Sequence, residues 1–156
     1  MAKFDLIGLG NALVDSEFHV TDSFLKKKGF EKGTMHLVDS DEQTNLLNSL
    51  EKEYGKPSLA CGGSATNTIF AASILGSSCS YICKVGNDKN GNFYLDDLSD
   101  AGVNIDHSVM LDSNINSGTC TVMVSPDAER TMSTCLGISS DSVSYTHLRA
   151  HETARH

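Results

Sequence analysis

The chain has 156 residues, 39% of them hydrophobic and 21% charged, a composition that supports one globular domain with its own core. Twenty Asp and Glu against twelve Lys and Arg give a formal charge of −8, and the one basic cluster is Lys26 to Lys28, so the basic face that nucleic-acid binding needs is missing. There is no run of about 18 apolar residues and no signal-peptide pattern, which sets the expectation of a cytoplasmic protein with no membrane partner. The five cysteines, Cys61, Cys79, Cys83, Cys120 and Cys135, are odd in number and irregularly spaced, and read as reduced, half-buried thiols rather than a disulfide framework or zinc site.

In chain order, the apolar run Lys3 to Leu9, closed by Gly10 and Asn11, predicts a buried strand entering a tight turn. Short strands are expected at 17–20 and 34–38. Ser40 to Gln43 has capping-box form, and Leu46, Leu47, Leu50 and Tyr54 follow at helical spacing until Gly55 and Pro57. Gly62 and Gly63 open a second helical pattern carrying Ile69, Phe70, Ile74 and Leu75, with Gly76 as its stop. A strand from Ser80 to Val85, a polar turn from Gly86 to Gly91, a helix from Phe93 to Ala101 and a strand within Val103 to Leu111 come next. This alternation predicts a parallel sheet flanked by helices. The residues from Thr119 to Thr134 read as a β-hairpin turning at Pro126 to Glu129. From Ser144 the periodicity stops, and 144–156 is expected to be a non-native, disordered tail resembling translated adapter sequence, leaving 1–143 as the domain.

Three motif readings fail on spacing. Gly8-Leu9-Gly10 lacks the third glycine of a dinucleotide fingerprint, where Leu13 stands. Asp88, Asn90 and Asn92 lack the Gly and Glu of a calcium loop. His151-Glu152 and His156 miss the H-E-x-x-H spacing by one residue. Asn11 and Asp15 are different: an amide and a carboxylate past the end of a first strand supply the acceptors and donor that a vicinal diol needs, although taken alone a plain turn is the readier explanation. Gly62, Gly63 and Asn67 open a helix whose first-turn N–H groups can receive a polar group, or simply let that helix pack on the sheet.

Taken together, Gly10-Asn11 with Asp15, the Gly-Gly-x-x-x-Asn of Gly62 to Asn67, Val85-Gly86-Asn87-Asp88 with Gly91, Gly118-Thr119-Cys120 and Glu129-Arg130-Thr131-Met132 resemble the ribokinase or PfkB family of sugar and nucleoside kinases, over Phe4 to about Ile138. Ser64, where ribokinases typically carry Lys, brings the spelling nearer the adenosine kinases of that family. The resemblance implies the N-terminal half of a ribokinase-like α/β fold, with a small β lid from strands near 17–20, 34–38 and 119–134. It implies a ribose-type substrate held by Asn11, Asp15, Gly62, Gly63 and Asn67, with Arg130 near the transferring phosphate. ATP and Mg²⁺ are the implied cofactors, and a nucleoside, or alternatively a sugar, the implied partner. The family's base Asp, in a Gly-Ala-Gly-Asp segment, is absent from these residues, so this stretch by itself is expected to be inactive; a non-catalytic nucleoside-binding module is the rival reading.

Overall fold

The computed structural model describes residues 3–105, 109–111 and 114–141. In chain order its elements are β1 (Leu6–Leu9), β2 (Leu13–His19), α1 (Asp22–Lys28), β3 (Met35–Leu37), α2 (Ser40–Tyr54), β4 (Ser58–Gly62), α3 (Ser64–Ile74), β5 (Cys79–Ile82), β6 (Lys84–Gly86), α4 (Lys89–Asp100), β7 (Val109–Leu111), β8 (Gly118–Val124), β9 (Arg130–Cys135) and a 3-10 turn (Gly137–Asp141). The expected tail, 144–156, lies outside the described residues.

The parallel pairing expected from the alternation holds for β1 with β5 and for β6 with β7. The largest sheet is mixed rather than parallel, in the order β3-β9-β8-β2-β4. Its β2–β8 and β3–β9 pairs are parallel, and its β2–β4 and β8–β9 pairs antiparallel. The strand expected at Ser80 to Val85 is broken at Cys83 into β5 and β6.

Two cores hold these layers. Against β1, β5 and β6, the helices α3 and α4 bury Ile69, Tyr81, Val85, Tyr94 and Leu98. Beside the mixed sheet, α1 and α2 pack Phe24, Leu25, Leu46 and Leu50 on Phe18 and Met123. Phe24 and Leu50 are almost wholly buried, each worth about 1.5–3 kcal/mol of transfer free energy.

Local chemistry accounts for the elements that differ from expectation. α1, too short to show a period, is fixed by its ends: the Thr21 side chain accepts from Phe24 N–H, Lys26 to Lys28 oppose the helix dipole, and Gly29 closes it at φ +76°. The capping box of α2 begins one residue earlier than expected, at Asp39, whose carboxylate accepts from Glu42 N–H (2.8 Å) while Glu42 accepts from Asp39 N–H (3.3 Å). Gln43 is thereby freed to turn inward, where it donates to Thr121 Oγ1 and accepts from Ser133 Oγ, both at 3.0 Å. α4 starts four residues before the expected Phe93, because Asp88 caps it by accepting from Gly91 N–H. Ile74 and Leu75, expected on the buried face of α3, are 64% and 86% exposed; Thr66 and Ile69 take the inner positions.

Candidate functional site

A cleft of about 530 Å³ is bounded by the Gly10–Asn11 loop after β1, the start of α3 and one face of the mixed sheet. The sheet face follows from the period of two: Val14, Ser16 and Phe18 of β2 are buried, while Leu13, Asp15 and Glu17 point the other way. Register then lines up Asp15, Cys120, Thr134 and Leu37 across four strands, with Glu17, Val122, Met132 and Met35 in the next row. The first row and most of the second line the cleft.

Asp15 therefore lies within a strand flanked on both sides, not in the turn after β1 where sequence reasoning puts it. Its carboxylate occupies the space where a side chain at Gly62 would begin: a Cβ built there would overlap Asp15 Oδ1 and lie 2.6 Å from Oδ2. Only a glycine lets Asp15 keep this position. Gly62 itself is buried behind Asp15, and Gly63, at φ +102°, turns the chain from β4 into α3. A Cβ on Gly63 would come within 2.9 Å of the Asn11 carbonyl, so the two loops are in close contact. α3 starts without a side-chain cap, and Asn67, one turn in, is exposed toward the cleft. Arg130 opens β9 at the cleft margin, 67% exposed, with Nη2 4.0 Å from Glu17 Oε2.

Burial pushes the Asp15 carboxyl up to about 6; the Arg130 guanidinium opposes this and Glu17 adds to it. Among the described residues none donates a hydrogen bond to that carboxylate. Its neighbour Cys120 is also raised, first by burial, and accepts from Thr134 Oγ1 at 3.3 Å. A partly buried acid whose lone pairs are left to the cleft is suited to accept from hydroxyl groups of a ligand.

Of the sequence-derived residues, Asn11, Asp15, Gly63, Asn67 and Arg130 line this one cleft, and Gly62 backs it. Sequence reasoning missed its apolar side, Met35, Leu37, Val122, Met132 and Leu136. For all but Leu136, which follows β9, the signal is the facing of β3, β8 and β9, legible only once register is known. Met35 and Leu37 are 53% and 64% exposed, an apolar rim on an edge strand. A second cleft of about 600 Å³, between α2 and the Asn114–Ser117 loop, is lined by Asp88, Asn90 and Thr119 of the sequence motifs but by none of the residues assigned to the substrate. Among the described residues no three His, Cys, Asp or Glu side chains converge to hold a metal ion.

A helix-flanked α/β layer and a mixed sheet meeting at a cleft lined by a carboxylate and amides define a ribokinase-like fold. Residues 34–152 match the family described as pfkB family carbohydrate kinase, and the chain belongs to that family. It is 30% identical over 122 residues to Adenosine kinase 2 of Arabidopsis thaliana, a stretch covering 76% of this chain and 34% of that protein. It is 37% identical over 68 residues to a ribokinase of Dictyostelium discoideum, 44% of this chain and 21% of that one. The crystal structure of adenosine kinase from Sinorhizobium meliloti matches with a TM-score of 0.78 and 34% identity, covering 91% of this chain and 43% of that chain. The chain thus spans about a third of the first curated relative and less than half of the solved one.

Proposed function

We propose that the whole protein phosphorylates a hydroxyl of a nucleoside, adenosine above others, at the expense of ATP and Mg²⁺, in the cytoplasm. The carrying observation is the convergence of Asn11, Asp15, Gly63 and Asn67 on one cleft whose other wall is apolar. In this reading the ionised Asp15 accepts from two vicinal ribose hydroxyls, while Asn11 and Asn67 supply amides that both donate and accept. The uncapped start of α3 offers backbone N–H groups beside them. Met35, Leu37 and Met132 give a flat base an apolar surface that a bare sugar would leave uncovered. This favours a nucleoside over ribose, fructose or a ketodeoxy sugar, in keeping with the Arabidopsis and Sinorhizobium relatives.

Arg130 stands at the margin, where its charge is available to the phosphoryl group in transfer. No cluster among the described residues suits Mg²⁺, and no Gly-x-Gly-Asp segment occurs in these 156 residues. In this reading the base that takes the hydroxyl proton, the metal site and most of the ATP pocket belong to the remainder of a whole kinase, and these residues alone are inactive. The ATP and metal supply the phosphoryl group and its charge neutralisation.

The test is a panel of adenosine, other nucleosides, ribose, fructose and ketodeoxy sugars offered to the whole protein with ATP. Adenosine should give the highest kcat/KM, and Asp15→Ala should weaken its binding about tenfold to a hundredfold through lost charge-assisted hydrogen bonds. Preference for a free sugar, or an Asp15→Ala enzyme with wild-type kcat and KM, would sink this reading.

A further inference from the structure

Beneath the cleft lies a buried cluster of three hydroxyls. Thr66 on α3, Tyr81 on β5 and Tyr94 on α4 are between 0% and 1% exposed. Thr66 Oγ1 donates to Tyr81 Oη at 2.8 Å and accepts from Tyr94 Oη, which shares its one proton between Thr66 and the Gly62 carbonyl, 3.2 Å away. Tyr94 grips the same strand end a second time, its own carbonyl accepting from the Cys61 thiol at 3.4 Å.

Each member faces one of the glycines that border the cleft. A Cβ on Gly10 would lie 2.8 Å from Tyr81 Oη, and one on Gly63 3.1 Å from Thr66 Oγ1. Gly62, bound through its carbonyl to Tyr94, is the residue whose α-carbon abuts the Asp15 carboxylate. Phe and Val would fill these interior positions without polar atoms to satisfy. A buried chain of hydroxyls that reaches one loop carbonyl specifies a geometry that apolar packing alone would not.

We propose that Thr66, Tyr81 and Tyr94 are positioning residues of the substrate cleft, fixing the Gly62 peptide and with it the seat of Asp15. The proposal rests on the reading that Asp15 and the paired glycines contact the phosphoryl acceptor. It predicts an effect on acceptor binding separate from ATP binding, because the contacts of these hydroxyls described above run to the glycines beside Asp15.

The experiment uses Tyr94→Phe, Thr66→Val and Thr66→Ser in the whole protein, with KM measured separately for acceptor and ATP. Tyr94→Phe and Thr66→Val should raise the acceptor KM about tenfold and leave the ATP KM within about twofold; Thr66→Ser, which keeps the hydroxyl, should stay near wild type. An unchanged acceptor KM, or acceptor and ATP constants rising together, would overturn the proposal. So would failure of both hydroxyl-deleting variants to fold, which would make the cluster a stability element. If the wild-type protein phosphorylates none of the panel, the functional reading fails separately. The cluster is then judged by amide exchange without ligand: Tyr94→Phe should speed exchange at Gly62 to Ser64 about tenfold, and unchanged exchange would refute the positioning role.

Discussion

Gly62→Ala isolates the contact on which the site depends. Gly62 has no positive φ among the glycines that do, so alanine suits its backbone, and the conflict is with the Asp15 carboxylate alone. The added methyl carbon would coincide with Oδ1 and sit 2.6 Å from Oδ2, where carbon and oxygen normally stay beyond about 3.0 Å. β2 cannot retreat, being paired with β4 on one side and with β8 over seven residues on the other, so the side chain must swing away. The atoms met are the end of a side chain that borders an open cleft, so the swing should cost at most about 1 kcal/mol of stability, while the displaced carboxylate forfeits acceptor bonds worth about tenfold to a hundredfold in affinity. Urea unfolding and acceptor titration of the whole protein read the two effects. In the double variant Gly62→Ala/Asp15→Ala the clash is gone, so stability should recover and affinity should match Asp15→Ala alone, a coupling in affinity of about 1 kcal/mol or more. Additive affinity losses, or wild-type affinity in Gly62→Ala, would refute the reasoning.

The raised Asp15 carboxyl makes stability and binding respond oppositely to pH. Its folded value of about 6 lies above the ordinary 3.8, so its stabilising contribution is fully present below about pH 4 and is lost as pH rises through about 6. Asp15→Asn should flatten that window in pH-dependent urea unfolding and raise stability at pH 7; an unaltered pH profile would contradict it. Acceptor affinity, which uses the ionised form, should instead fall as pH drops below about 6. Because Arg130 lowers the Asp15 carboxyl, Arg130→Gln should move the midpoint of that binding profile upward; a fixed midpoint would show that the two side chains do not interact.

Most of what sequence could locate was carried by punctuation. Capping groups, glycine stops and the hairpin turn mark α2, α3, α4 and β8–β9 to within a few residues, because their ends are decided by local hydrogen bonds. β4 was invisible for the opposite reason. Ser58 to Ala60 are exposed, and the strand exists through its pairing with β2 rather than through any period of its own. The same pairing drew Asp15 out of its expected turn, since a polar residue in a strand looks like a loop until the opposite face is seen to carry Val14 and Phe18. Asn11, Asp15 and Asn67 were legible as hydroxyl-binding chemistry, but their convergence required register, and so did the apolar wall.

The two strongly shifted aspartates differ in their surroundings, and the difference supports the proposal that Asp15 is a binding group. Asp127 is lowered to about 2 because Lys32 and Ser125 hydrogen-bond its carboxylate, which ties the β8–β9 turn to the loop before β3. Asp15 is raised because the fold removes water from it and supplies no hydrogen-bond donor among the described residues, only the distant charge of Arg130. A carboxylate kept for stability would be expected to resemble the first. A carboxylate held ionised at neutral pH, against its environment, stores a cost that a ligand's hydroxyl groups relieve on binding. Ligand should therefore lower the Asp15 titration point below about 6, and a carboxyl resonance that titrates identically with and without acceptor would show that Asp15 is not its receptor.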